Sequence, residues 1–69
     1  MNKVYIEAEK MNELNQMECF VVGKNNKIAT NYDEHLFFES EFAAENWINS
    51  EDAKNWTDCT FRIVSEEHF

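Results

Sequence analysis

Proline is absent from this chain, and glycine occurs once, at Gly23. That excludes Pro-rich ligand segments, flexible Gly-rich linkers and Gly-rich loops that cradle phosphates. Positive charge is scarce. Six Lys and Arg stand against fourteen Asp and Glu, a formal net charge of −8. A surface this acidic repels phosphate backbones, so direct nucleic-acid binding is disfavoured and basic proteins become the natural partners. No long apolar run is present, so no membrane span is expected. The opening MNKVYIEAEK is too polar for the apolar stretch of a secretory leader. The expected location is cytoplasmic, and the two cysteines, Cys19 and Cys59, are expected to be free thiols.

Signatures of catalysis are also missing. A metal site would have to recruit Cys19, Cys59 and His35, but no CxxC, HxxxH or DxDxDG spacing joins them. Both cysteines fall at core-like strand positions, where a thiol behaves as a small buried hydrophobe. Cys19 follows Glu18 and Cys59 follows Asp58. A neighbouring carboxylate raises a thiol pKa, the wrong direction for a nucleophile. The acidic pairs Asp33/Glu34, Glu51/Asp52 and Glu66/Glu67 lie in polar stretches. General acid–base work needs a desolvated carboxylate beside a pocket, and so small a domain has little room for one of about 300 Å³. The expectation is no catalytic residue, no metal and no cofactor, hence not an enzyme.

What the chain does contain is enough apolar surface for a single domain, residues 1–69. Ten aromatics and 43% hydrophobic residues argue against disorder. The most consistent local signal is Ser40–Asn49 (SEFAAENWIN). At about 100° per residue, Ala43, Ala44, Trp47 and Ile48 share one arc, while Glu41, Glu45, Asn46 and Asn49 lie opposite. Ser40 suits an N-cap, and Glu41 complements the positive end of the helix dipole. Continuing past Asn49 would carry Glu51 into the apolar arc, so the helix should stop near Asn49 or Ser50. Ser50-Glu51-Asp52 can then cap a further turn that folds Ala53 and Trp56 back on the core.

Strand patterns surround this helix. Lys3–Ala8 alternates, with Val4, Ile6 and Ala8 on one side. Residues 9–17 read as either turn or helix. Glu18–Gly23 is an apolar run closed by the sole glycine, and Gly23-Lys24-Asn25-Asn26 supplies the positive-φ tolerance of a tight hairpin. Lys27–Asn31 returns as a short partner strand. Tyr32–Glu39 connects to the helix, with at least one of Leu36, Phe37 and Phe38 plugging the core. Thr57–Ser65 alternates again, Cys59, Phe61 and Ile63 against Thr60, Arg62 and Val64. Residues 65–69 are expected to fray. The fold class is α+β: an antiparallel sheet with one helix packed on one face, in the order β-β-β-α-β. The other sheet face stays partly wet, carrying Tyr5, Val64 and one parity of the Phe20–Val22 run. As one contiguous patch, that face is a possible homodimer surface.

Charge is unevenly distributed. Residues 1–27 carry four acids and four bases, whereas residues 28–69 carry ten acids against Lys54 and Arg62 alone. On the helix, Glu41 and Glu45 are four apart with no Lys to pair them, and Phe42 points outward. Asp33, Glu34, Glu39 and Asp52 are expected to border the same side. Asp33, Glu34, Glu39, Glu41, Phe42, Glu45 and Asp52 thus form the candidate partner-binding surface.

Between Cys19 and Val64, the succession FVVGKNNKIA, SEFAAENWI and TFRIV resembles the layout of small acidic bacteriophage and mobile-element proteins. These include counter-defence factors of the anti-CRISPR and anti-restriction type. The resemblance implies a phage-encoded inhibitor in the cytoplasm of a bacterial host. It implies stoichiometric occlusion of a basic, nucleic-acid-binding surface on a host protein or nucleoprotein complex, sometimes by DNA mimicry.

Overall fold

The alternating Val4, Ile6 and Ala8 become the middle of the molecule. The computed structural model describes residues 3–65, so the expected fraying beyond Ser65 lies outside the described residues. Strand β1 (Val4–Met11) is followed by β2 (Met17–Val22), β3 (Ile28–Ala29), helix α1 (Glu41–Ile48) and β4 (Thr60–Ser65). The sheet is antiparallel in the order β3-β2-β1-β4, giving the α+β fold with the helix after the third strand. β1 is central because β4 pairs along its free side, from Val4↔Ser65 to Glu9↔Thr60. Among the described residues, no helix is long and apolar enough to cross a membrane.

Residues 9–17 resolve as the end of β1 and a turn. Pairing of Met11 with Met17 carries β1 three residues beyond the expected Ala8. The Asn12 side chain then accepts from the Leu14 and Gln16 amides, and Asn15 takes φ 61°. An Asn that caps the turn with its own carboxamide outcompetes helix propensity here.

The second hairpin departs from expectation in an informative way. Its positive φ values belong to Asn25 and Asn26, both at 59°, while Gly23 has an ordinary φ of −103°. Glycine is required at position 23 for space, since a Cβ there would meet Lys27 O at 2.7 Å. β3 is only two residues long. Thr30 donates from both its amide and its hydroxyl to Glu34, which turns the chain off the sheet edge. β4 begins at Thr60, not Thr57, because Asp58 sits at φ 59°, a value no strand accommodates.

Two layers enclose the core. Val4, Ile6, Ala8, Val22 and Ala44 form it, ringed by half-buried Leu36, Phe38, Trp47, Ile48, Trp56, Cys59, Phe61 and Ile63. Ala53 is buried in a short 3-10 turn, Asp52–Asn55, so the segment after the helix does fold back with Trp56. The Tyr32–Glu39 connection contains an unforeseen strand-like stretch. Leu36 N donates to Val22 O, and Val4 and Phe38 exchange backbone bonds of 3.0 and 2.8 Å. Leu36 and Phe38 consequently face the core, while His35 and Phe37 face the other side and meet Tyr5.

Candidate functional site: the helix outer face

Helix α1 folds as its local chemistry dictates. Ser40 Oγ accepts from the Ala43 amide at 3.2 Å, and Asn49 ends the helix. Ala43 and Ala44 let the helix lie close to the sheet, and Trp47 stacks edge-on against Phe61, with centroids 5.5 Å apart. The opposite arc is left to solvent. Glu41 and Glu45 are exposed, and Phe42 is 72% exposed. Glu39, just before the cap, is exposed as well.

The two cations of the acidic half are already engaged. Lys54 pairs with Glu51 at 3.4 Å, and Arg62 pairs with Glu7 on the far face of the sheet. These are the ion pairs among the described residues, so Glu39, Glu41 and Glu45 have no basic partner there. The helix face is therefore an uncompensated acidic surface centred on an exposed aromatic ring.

The remaining candidates fall elsewhere. Asp52 lines a cleft of about 410 Å³ with Trp47, Leu36, Phe38, Asn25 and Asn26, at the C-terminal side of the helix. Asp33 and Glu34 line a smaller cleft, about 170 Å³, in the company of Lys24 and Lys27. Glu34 titrates below the usual carboxylate range because the Thr30 hydroxyl and amide donate to it. Asp33 and Glu34 thus sit in a mixed-charge environment unlike that of Glu41 and Glu45.

The open sheet face holds features that were not read from the sequence. By register, Tyr5, Glu7, Glu9 and Met11 share it with Met17, Cys19, Val21, Arg62 and Val64. Tyr5 and Val64 lie where they were expected, and Phe20 and Val22 take the helix side. The cysteines do not occupy equivalent core positions. Cys19 is exposed on the open face, and Cys59 is a half-buried residue preceding β4 on the core side. His35 belongs to an aromatic cluster with Tyr5, Tyr32 and Phe37, its centroid 5.0 Å from that of Tyr5. The set Cys19, Cys59 and His35 is therefore split. A different trio, Glu7, Glu9 and Cys19, brings ligand atoms within 4.8 Å of one another. Arg62 occupies Glu7, and the Cys19 thiol pKa is pushed up by partial desolvation and then by Glu7 and Glu9. That arrangement is already satisfied by a guanidinium. The signal for the aromatic cluster was the alternation His35-Leu36-Phe37-Phe38, a two-residue period inside a segment read as a loop. No protein-family model, curated protein or solved structure matches this chain.

Proposed function

We propose that this protein is a binding module that docks on a basic protein surface through the outer face of α1. The observation that carries this reading is the lack of any basic partner, among the described residues, for Glu39, Glu41 and Glu45, with Phe42 exposed among them. Carboxylates so displayed steer toward Lys/Arg clusters, and an aromatic anchor between them supplies burial that charge alone does not. A groove built for nucleic-acid phosphates offers the complementary charge. The narrower reading is stoichiometric occlusion of such a groove on a host complex, acting in the bacterial cytoplasm. It rests on the acidity and on the layout resemblance to phage counter-defence proteins.

Tagged protein should retain a basic partner from host lysate at about 50 mM salt and lose most of it near 500 mM, where exposed charges are screened. The double variant Glu41→Lys/Glu45→Lys should abolish capture with an unchanged circular dichroism spectrum. Undiminished capture by that variant overturns the reading.

A further inference from the structure

The face of the sheet away from α1 has an order of its own. Register places Met11 beside Met17 at the hairpin end. Tyr5 lies beside Val64 at the other end, where Phe37 and Tyr32 extend the apolar surface; the Tyr5 and Phe37 rings are 6.1 Å apart and those of Phe37 and Tyr32 5.3 Å. Between the two ends runs a band of two rows, Arg62-Glu7-Val21 and Thr60-Glu9-Cys19, polar except at Val21. Met11 and Met17 are 55% and 59% exposed. The face is electrically balanced. Lys3, set 5.5 Å over the Phe37 ring, and Arg62 offset Glu7 and Glu9, in a chain whose net charge is −8.

We propose that this open face is a homodimer interface in which a second copy stacks sheet on sheet. The two-fold axis would lie midway between the two sheets, parallel to them and across the strands, at the level of the polar band. That rotation sets the methionine end of one copy over the aromatic end of the other, where thioether sulfur packs well against ring edges. It also exchanges the two polar rows: β1 lies over β1 and β4 over β4, so Glu9 of each copy faces Glu7 of the other, with Arg62, bound to Glu7, one strand away. The interface is thereby complementary in apolar surface, as a two-fold contact must be, and Arg62 of each copy flanks the facing Glu7 and Glu9. Balance of charge selects the occupant, because two copies of so acidic a chain repel except where each presents a neutral face. The acidic helix faces then point outward on opposite sides, so a dimer would carry two docking surfaces.

The test is sedimentation equilibrium of the full chain from about 1 to 200 μM at 150 mM salt, a range suited to micromolar association. Dimer mass is expected at the upper end. Met17→Lys, an exposed substitution with no core contact, should raise the dissociation constant about tenfold or more. Phe42→Lys, on the helix face, should leave it unchanged. A second measurement uses Cys19. Facing sheets are about 10 Å apart, so a short bis-maleimide should link Cys19 of two copies, and Cys19→Ser should abolish the link. A strict monomer at the highest concentration overturns the proposal. So does a dimer insensitive to Met17→Lys, one broken by Phe42→Lys, or a cross-link that survives loss of Cys19.

Discussion

Arg62 on β4 donates to the carboxylate of Glu7 on β1, a residue 55 positions away, and the two sit directly opposite in the strand register. The contact does more than decorate the sheet. It sets the electrostatics around Cys19, whose thiol lies beside Glu7 and Glu9 and feels the guanidinium as the one opposing charge among its named neighbours.

From this follows a titration. Carboxylates disfavour a thiolate and a guanidinium favours it. Glu9→Gln should therefore move the midpoint of Cys19 alkylation to lower pH, and Arg62→Gln should move it to higher pH. Iodoacetamide rates measured against pH, with Cys59 replaced by Ser, give both midpoints. Identical midpoints in the two variants would contradict the arrangement.

Trp47 joins the helix to β4 through its edge-on contact with Phe61 and packs on the buried cluster while remaining half-exposed. Trp47→Ala should cost about 3 kcal/mol, the lower end for a large aromatic, because part of the ring already touches water. In a domain of this size that is a large share of the total stability. Urea unfolding followed by circular dichroism measures it.

The hairpin offers an inversion of the usual glycine rule. Gly23→Ala should destabilise by about 1–3 kcal/mol, because the added methyl meets a backbone carbonyl that cannot swing away. Asn25→Gly should be neutral or slightly stabilising, since position 25 holds φ 59° at no cost to glycine. Were positive φ the reason for Gly23, Gly23→Asn would be well tolerated; with a carbonyl in the way of any Cβ, it should destabilise as Gly23→Ala does. Thermal denaturation of the two Gly23 variants decides between the causes.

Glu34 makes stability depend on pH in a defined direction. Its folded pKa lies below the ordinary value of 4.5, held down by the Thr30 hydroxyl and then the Thr30 amide. The stabilisation is thus fully present above the unfolded pKa and lost as pH falls through the lower, folded one. Thr30→Val should lower stability at pH 7, and its difference from wild type should shrink below about pH 4.5. A difference that stays constant down to pH 2.5 would show that the hydroxyl acts on something other than the carboxylate.

Sequence alone determined the elements whose causes are local. The Ser40 cap, the Ala43/Ala44/Trp47/Ile48 arc and the stop at Asn49 are all interactions within about a turn of chain, and the helix from Glu41 to Ile48 is where they place it. The same holds for the alternation of Val4, Ile6 and Ala8 and for the exposure of Phe42. Tertiary structure alone decided what depends on pairing between distant segments. Period two separates Cys19 and Val21 from Phe20 and Val22, but which set faces the helix is settled only when β2 pairs with β1. Likewise, Arg62 reads as a spare cation until β4 lies beside β1 and gives it Glu7. His35–Phe38 reads as a loop because its backbone partners, Val22 and Val4, belong to strands far back in the chain. The acidic outer arc of α1 was legible for the same reason as the helix itself. So was the lack of a Lys on the helix to pair Glu41 and Glu45; that Lys54 and Arg62 pair elsewhere was not, because it depended on where the fold drew them.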